Sequence, residues 1–545
     1  MNTDLVYMKR NVVPEPLFDQ WYAWPHLISP ATAAMNILER HIKIMNSYIL
    51  APQIHATAVK DPKMLGGPFM DYAGNKKEEV KKLKEATLQN NADLIDLAKA
   101  IQQLSKFLLN EAKGQTLEGL YEKIPEILRG FVELHYDVNN HPSFRLFESL
   151  LYKSKYYKPE LQSLSFYLIN SDDRPFILST PRLEEDPSRL HLRIPFESPV
   201  LDELFKMQRT PGSYQYIRDG LNITEEEEPL FSTFFTTEKP EVFEKYKGDN
   251  IRTRYFGHAC ILIETKDISI LSDPVMSYGY NSDISRYTYA DLPDVIDYVV
   301  ITHNHQDHIL IETMLQLRHK IKHIIVPRNG QGGLQDPSVK RILERIGFRN
   351  VIEIDELESI ELPGCVITGL PFMGEHGDLD IRTKMCHLVK MTDDFTILLA
   401  ADSCNIEPKI YERVHEIVGD IDVLFLGMEC DGAPTSWLYG PLLPEPLIKE
   451  HDHSRRLRGS NFREGIDLVD RFHPKEVYIY AMGQEPWLNY IMSLKYTEES
   501  NPIIASNKLI QVCRERGIHA ERLFGEKEII YKRTVQKDQA AVAVL

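Results

Sequence analysis

Three histidines and an aspartate directly follow a short apolar segment in the middle of this 545-residue chain. The segment at 295–302 is rich in β-branched and apolar residues, which predicts a buried strand with a helix after the motif. Side chains two residues apart in extended backbone point the same way, so His303 and His305 are placed to bind one metal ion. Asp307 and His308 come one turn later and face a second, adjoining ion. Nitrogen and oxygen donors together suit zinc or iron.

Composition and charge narrow the functional classes. The length suggests two or three domains, and 43% hydrophobic with 26% charged residues is typical of a globular protein. A formal net charge of −17 argues against a nucleic-acid partner, because a phosphate backbone requires a basic surface. No apolar run approaches the length that crosses a bilayer, so no membrane partner is expected. The six scattered cysteines favour reduced thiols in a cytoplasmic protein.

Residues 1–245 are predicted to form a helix-rich α+β domain for dimerisation or for docking the substrate or its carrier. Helical spacing of apolar residues and strand-like alternation support this interpretation. Helices are predicted at 32–50, 77–109 and 117–134, strands at 163–169 and 190–194, and a linker around 225–228 and 239–240. The aromatic segment at 21–26 is interpreted as a docking or dimer contact, which makes a homodimer reasonable.

Residues 246–545 are predicted to form a domain of strands with interleaved helices. Strands are predicted at 254–263, 268–271, 295–302, 321–326, 351–354, 358–362, 366–370, 386–391, 395–400, 423–428 and 477–480. Helices are predicted at 312–320, 337–346, 408–418 and 463–472. Two strand-rich halves with metal ligands at strand ends indicate an α/β fold of the αββα sandwich type.

Four segments occur in the order found in metallo-β-lactamase-fold proteins, which the chain resembles from about residue 250 to 530. These segments contain His258, Asp273, the metal motif and Asp402. The resemblance implies two adjoining metal sites, with Asp402 as the bridging carboxylate at the end of an apolar strand. It also implies that His258 lies near the metals and that Asp273 accepts a hydrogen bond from a histidine of the motif.

Glu375 and His376 occupy the position where the superfamily usually has one more histidine ligand. Together with the large N-terminal domain, this glutamate makes the chain similar to the diiron β-hydroxylases of chloramphenicol biosynthesis. These are oxygenases that act on an amino acid tethered to a peptide carrier domain, and the resemblance assigns Glu375 as the ligand. A carboxylate is a harder, anionic donor that favours oxidised iron and O₂ activation over hydrolysis, which also favours Glu375 over His376.

The last metal ligand stays open in the sequence. The late strand at 477–480 is followed by Glu485 instead of a histidine, and His473 precedes it. Either Glu485 or His473 replaces the missing histidine ligand, or the second ion keeps an open coordination position. Glu429 follows another strand on the same side of the sheet. It is interpreted as binding a metal-bound water or controlling substrate access, with a surface turn acid as the alternative.

Three functions are compatible with these features. The first is an O₂-dependent dinuclear-iron monooxygenase that hydroxylates an aminoacyl substrate, tethered to a peptide carrier domain, in natural-product biosynthesis. It requires an external electron donor, and thus a redox partner, because the chain has no flavin or nucleotide motif. The second is a dizinc hydrolase of a phosphodiester, lactone or amide, and the third is a non-catalytic binding protein. The catalytic candidates are Glu375, Glu429 and Asp402. The predicted metal ligands are His303, His305, Asp307, His308, Glu375, Asp402 and Glu485.

Overall fold

Two seven-stranded sheets pack face to face in the C-terminal half of the chain. The computed structural model describes residues 5–241 and 243–533. The first sheet contains, in spatial order, Val351–Ile354, Ile321–Pro327, Ile296–Val300, Ser269–Ser272, Ile261–Glu264, Ile251–Tyr255 and Lys527–Tyr531. The second contains Ser359–Leu362, Cys365–Leu370, Cys386–Met391, Thr396–Leu399, Val423–Gly427, Glu476–Tyr480 and His519–Arg522.

Three apolar layers hold the sheets and helices together. Ile263 and Ile325 of the first sheet and Ile367 and Phe425 of the second belong to one buried cluster between the sheets. A second cluster covers the outer face of the second sheet. It includes side chains from the helices Pro408–Val418, Phe462–Phe472 and Asn501–Glu515. The helices Ile311–Leu317 and Val339–Arg345 contribute to a third cluster together with the first sheet and the N-terminal half. The predicted αββα sandwich is therefore confirmed.

The N-terminal half is helix-rich with a small sheet, as predicted. Its four-stranded sheet has the order Trp21–Tyr22, Val12–Phe18, Gln162–Leu168 and Leu190–Arg193. Its α-helices are Pro25–Ile28, Pro30–Asn36, Ile42–Leu50, Pro52–Ala58, Lys77–Asn90, Ala92–Glu111, Glu148–Leu151, Pro199–Lys206, Tyr214–Gly220 and Glu228–Ser232. A π-helical turn at Ile37–His41 joins the second and third of these helices into one long element.

The helix predicted at 117–134 is wrong. Short 3₁₀ turns occupy Glu118–Lys123 and Glu126–Leu128, and the strand Val132–Tyr136 pairs with Pro142–Leu146. Pro125 lies between the two turns, and its missing amide hydrogen and fixed φ interrupt a continuous helix.

The aromatic segment at 21–26 does not form a surface contact, so that interpretation is also wrong. Trp21 and Trp24 are 1% and 2% exposed and belong to the same cluster as the first sheet. Their rings stack on His41 and His26, with ring centroids 3.9 and 4.5 Å apart. The segment is part of the hydrophobic core, and the homodimer expectation loses this support.

The boundary predicted near residue 245 lies between Phe235–Thr236 and Ile251–Tyr255, where residues 243–248 form neither helix nor strand. The division into two domains stays a prediction, and the outer ends of both (1–4 and 534–545) lie outside the described residues. In the described part of the chain, no helix is both long and apolar enough to cross a membrane.

Candidate metal centre

The residues of the histidine motif lie where strands of both sheets end. Strands Ser269–Ser272, Ile296–Val300 and Ile321–Pro327 run parallel, so their carboxyl ends meet at one edge of the first sheet. The motif leaves the middle strand there. Asp402 follows the strand Thr396–Leu399 of the second sheet. Glu375 lies in the loop after Cys365–Leu370. Both sheets therefore supply side chains to one edge of the sandwich.

His303, His305 and Glu375 form a first group of three side chains. Their potential ligand atoms all lie within 4.8 Å of one another. The Glu375 carboxyl is 2.7 Å from His305 Nδ1 and 3.5 Å from His303 Nε2. Glu375 is 7% exposed and adopts φ 67°, directly after Gly374 at φ 74°. This loop conformation directs the carboxyl inward at a backbone cost that non-glycine residues rarely accept.

His308, Asp307 and Asp402 define an adjoining group. His308 Nε2 is 2.8 Å from Asp402 Oδ2, and His303, His308 and Asp402 form one candidate cluster. His258, Asp307 and His308 form another. His258 Nε2 lies 3.1 Å from Asp307 Oδ2 and 3.2 Å from His308 Nε2. Because His303 and His308 are each shared by two clusters, the arrangement can hold two neighbouring metal ions.

Asp273 fixes the orientation of the motif from behind. Its carboxylate accepts hydrogen bonds from the Thr302 amide at 2.8 Å and the Thr302 hydroxyl at 2.6 Å. The same carboxylate contacts His308 Nδ1 at 2.8 Å, which confirms the predicted contact with a motif histidine. With Nδ1 paired to Asp273, His308 presents Nε2 to Asp402.

Three carboxylates create a binding site for positive charge around His308. Burial disfavours its charged form, yet Asp307, Asp402 and Asp273 raise the pKa of His308 well above its usual value. A metal ion bound at Nε2 would supply the same positive charge that a proton supplies otherwise.

The other two histidines are held neutral. Burial and the neighbouring imidazoles lower the pKa of His303 well below its usual value, and burial lowers the pKa of His305 to about 4. Burial and the charges of Asp402 and Asp307 raise the pKa of Glu375. Neutral imidazoles have a free nitrogen lone pair for a metal. A cation would also relieve the repulsion among the carboxylates of Glu375, Asp402 and Asp307.

Several buried atoms that could bind a metal ion in these groups have no hydrogen-bond partner among the described residues. They include His303 Nε2, Glu375 Oε2 and Asp402 Oδ1. Most buried polar atoms in proteins are hydrogen-bonded, so unpaired atoms clustered at one place require an explanation. Bound metal ions provide one, because the unpaired atoms are nitrogen and carboxylate donors of the type that iron and zinc bind.

Tyr439 is a neighbour of the centre that sequence reasoning missed. Its hydroxyl lies 2.8 Å from His305 Nε2. Tyr439 ends the helix Thr435–Tyr439, far along the chain from the motif, and no local pattern marks it. The contact leaves His305 Nδ1 directed at Glu375.

Two predicted or alternative ligands lie outside the clusters around the motif, and His473 belongs instead to a separate, largely exposed group with His415 and Asp420. The Glu485 carboxyl is buried and accepts a hydrogen bond from the Tyr255 hydroxyl. His473 is exposed and pairs with Asp420 at 2.9 Å, at the C-terminal end of the helix Phe462–Phe472. His258 stands closer to the motif than either of them, where the sequence indicated only a nearby residue.

His376 and Glu429 lie near the centre without belonging to a candidate cluster. The His376 ring packs 4.6 Å from that of His305, between ring centroids, and its Nδ1 is 3.2 Å from the Gly374 carbonyl. Glu429 lines the cavity that also contains Asp402. That cavity has a volume of about 600 Å³, and its wall includes His305, Asp307 and Glu375. The candidate metal centre is therefore open to a molecule of moderate size.

The chain is similar to diiron hydroxylases over nearly its whole length. Residues 7–240 match the family described as "Diiron non-heme beta-hydroxylase N-terminal domain", and residues 269–434 match a beta-lactamase superfamily domain. A Streptomyces venezuelae enzyme named as the 3-hydroxylase of 4-amino-L-phenylalanyl-CmlP-peptidyl-carrier-protein is 37% identical over 524 residues. The match covers 95% of this chain and 98% of that enzyme.

Solved structures agree with this similarity. The crystal structure of CmlA, a diiron beta-hydroxylase from Streptomyces venezuelae, superposes with a TM-score of 0.90 at 37% identity, covering 96% of this chain and 99% of that one. A mutant of CmlA superposes with a TM-score of 0.88 at 36% identity and the same coverage.

Proposed function

The chain belongs to the diiron non-heme β-hydroxylase family, and on this premise we propose that it hydroxylates the β-carbon of an aminoacyl group tethered to a peptidyl carrier domain. The reaction uses two iron ions and O₂ and belongs to natural-product biosynthesis. The observation that carries the proposal is the position of Glu375. A buried carboxylate faces His303 and His305 where a hydrolytic member of the superfamily is expected to have a histidine.

We assign the metal ligands from the candidate clusters. His303, His305 and Glu375 would hold one iron ion, and Asp307 and His308 the other, with Asp402 between them. His258 takes the place for which Glu485 was predicted, because it clusters with Asp307 and His308. When bound, the iron pair supplies the redox chemistry that activates O₂ for insertion of one oxygen atom into a C–H bond.

The protein positions these groups and shields them from solvent. Asp273 and Tyr439 orient the rings of His308 and His305 from outside the ligand set. The apolar side chains Leu438 and Leu457 line the cavity beside the centre and would exclude water from the substrate's side chain.

The reaction needs electrons that the chain does not provide. One substrate C–H bond, one O₂, two electrons and two protons give one C–OH group and one water. An external donor, and thus a redox partner, belongs to the proposal. The homodimer and the cytoplasmic location stay predictions.

Intact-protein mass spectrometry tests the proposed function. The iron-loaded, chemically reduced chain is mixed with O₂ and a carrier domain that bears an aminoacyl thioester. We expect the acyl group to gain one oxygen atom, and isotopically heavy O₂ to label that atom. Zinc-loaded chain should leave the thioester intact and unoxidised. Heavy oxygen entering from water, or thioester hydrolysis by the zinc form, would favour the hydrolase instead.

A further inference from the structure

Glu429 is a carboxylate in the cavity wall that has no assigned role in metal binding. It follows the strand Val423–Gly427 at the edge of the second sheet where Asp402 also lies. Gly427 packs directly on Asp402, since a Cβ atom at Gly427 would lie 2.3 Å from Asp402 Oδ1. The Glu429 side chain therefore stands beside the metal centre.

Two neutral groups hold this carboxyl in place. The Gly432 amide donates to Glu429 Oε2 at 2.6 Å, and the Tyr496 hydroxyl donates to Oε1 at 3.1 Å. Burial, followed by the negative charges of Asp402 and Asp431, raises the pKa of Glu429 to about 8. The carboxyl is thus anchored but lacks a partner of opposite charge.

The nearby arginines are engaged elsewhere. Arg456 donates to the Gly432 carbonyl at 3.0 Å, and Arg458 pairs with Glu464 at 2.8 Å. No ion pair with Glu429 occurs within residues 5–241 and 243–533. The ionised form of this carboxyl is costly in a partly desolvated wall without a cation, and a bound molecule with positive charge would stabilise it.

The surrounding cavity wall is largely apolar on the side away from the metal ligands. It is formed by Met64, Leu65, Trp437, Leu457, Met492 and Leu494. The polar residues of this wall outside the metal ligands are Lys63, Gln306, Glu429, His453, Arg456 and Ser493, and among these Glu429 is the acidic one. A few placed polar groups in a largely apolar pocket fix the orientation of a ligand.

We propose that Glu429 binds an amine nitrogen of the aminoacyl substrate and so orients its β-carbon towards the metal centre. This inference rests on the proposed function. An ammonium or aryl amine can donate hydrogen bonds to the carboxyl in addition to those from Gly432 and Tyr496, and an ammonium also supplies positive charge. Two sources share this chemistry. Every unblocked aminoacyl thioester has an α-amine on the carbon next to the β-carbon, and some side chains carry a second amine.

Glu429→Gln separates recognition from a structural role. The glutamine amide oxygen accepts one of the hydrogen bonds from Gly432 and Tyr496, but the side chain cannot carry negative charge. Asp431→Asn is the matched control, because it removes an acid next in the same turn. Asp431 pairs with Asn501 at 3.0 Å and does not line the cavity.

The experiment measures the Kd of three pantetheine thioesters on the diiron-loaded chain. The acyl groups are 4-aminophenylalanyl, phenylalanyl and 3-(4-aminophenyl)propanoyl, so that either the ring amine or the α-amine is missing. Removing the recognised amine should weaken binding to wild type about 10–100-fold, as expected when a hydrogen bond to a charged group is lost. The same removal should change binding to Glu429→Gln less than about twofold. Asp431→Asn should keep the amine selectivity of wild type, because Glu429 is still present.

The thioester that binds wild type more weakly identifies which amine Glu429 contacts, since that thioester lacks it. Equal Kd values for all three thioesters on wild type would overturn the inference, as would an equal loss for all three in Glu429→Gln. Hydroxylation by wild type is measured in parallel on the carrier-bound form. A chain that hydroxylates without amine selectivity disproves this inference alone, whereas the absence of hydroxylation disproves the proposed function.

Discussion

Five residues other than glycine adopt left-handed backbone angles around the metal centre. They are His258 at φ 48°, Asp273 at 35°, Glu375 at 67°, Ala401 at 46° and Ala481 at 52°. Each such conformation costs about 1–3 kcal/mol. Together they bring the side chains of Glu375, Asp402 and His258 to the metal centre. Such strain is common at functional sites, because side chains must converge from loops that no regular element would bring together.

Replacement of Glu375 by histidine tests the electronic role of the carboxylate. Histidine can still bind metal, but it removes an anionic donor from the first cluster. We expect Glu375→His to lower hydroxylation about 10–100-fold while the iron content per chain falls much less. Turnover is measured by mass spectrometry and iron by elemental analysis. His376→Asn is the control, and metal loss in that variant alone would reverse the assignment.

Replacement of Asp273 by asparagine tests the support behind the motif. Asparagine keeps an acceptor for Thr302 but loses the charge that faces His308 Nδ1. We expect the affinity for the second iron to fall about 10–100-fold, measured by chelator competition.

A matched control for this prediction exists in the second sheet. Asp422 makes the same pair of contacts to Thr396, at 2.8 Å to the amide and 3.2 Å to the hydroxyl, without a histidine. Asp422→Asn should leave iron binding unchanged. Equal iron loss in both variants would mean that the aspartate acts only through fold stability.

At the level of elements, periodicity in the sequence was informative wherever burial is regular. The helix Pro408–Val418 and the strands Val351–Ile354 and Cys386–Met391 have the predicted bounds. The final helix and the two strands after it were not predicted. The strand Lys527–Tyr531 is part of the reason, because it alternates exposed and buried side chains at the sheet edge and pairs with Ile251–Tyr255, far back along the chain. Long-range pairing of this kind leaves little local signal.

The same limit explains what was missed in the site. The metal-binding residues of the histidine motif could be predicted directly from the sequence, because they lie within six positions of one another. Tyr439 and His258 reach the centre only through tertiary packing, so the sequence alone did not give their contacts with His305 and Asp307.

A contact between the N-termini of the helices Glu148–Leu151 and Val339–Arg345 predicts that the stability of the chain depends on pH. Glu148 begins the helix Glu148–Leu151 and accepts from the amide of Ser338, the N-cap of Val339–Arg345, at 3.2 and 3.3 Å. Burial raises the pKa of Glu148 from 4.5 to about 7. Between these values the folded chain binds a proton that the unfolded chain releases. The free energy of unfolding therefore falls as pH rises through this window.

Glu148→Gln should remove that loss. We expect the variant to exceed wild type by about 3 kcal/mol in the free energy of unfolding near pH 8, and to match it near pH 4. Urea unfolding at the two pH values measures this difference. Glu118→Gln, at an exposed position, should change neither value. A variant less stable than wild type at both pH values would contradict the prediction.

At the scale of the whole molecule, a buried charge network joins the N-terminal sheet to the helix after the histidine motif. Glu15 is fully buried and pairs with Arg174, Arg182 and Arg189, each at 2.8 Å. Arg174 also pairs with Glu312 at 2.6 Å. Although burial opposes its charged form, the three arginines hold the pKa of Glu15 well below its usual value. The two halves therefore share one ionic core, which includes Glu312 of the helix Ile311–Leu317.

Glu15→Gln should destabilise the whole chain. It takes the shared carboxylate from three guanidinium groups and leaves Arg174 with Glu312 and Arg189 with Asp186. Removing one member of a buried network costs about 3–5 kcal/mol. Chemical unfolding followed by fluorescence measures the change. Glu203→Gln, which breaks an exposed pair with Lys206, should cost less than about 0.5 kcal/mol. A similar small effect of both variants would show that the network contributes no stability.

Anomalous diffraction at the iron absorption edge tests the central claim most directly. Crystals of the aerobically purified, iron-loaded chain should show two anomalous peaks. One should lie among His303, His305 and Glu375, and the other beside Asp307 and His308, with Asp402 between them. A single peak, a signal at the zinc edge only, or a Glu375 side chain turned away to solvent would contradict the account.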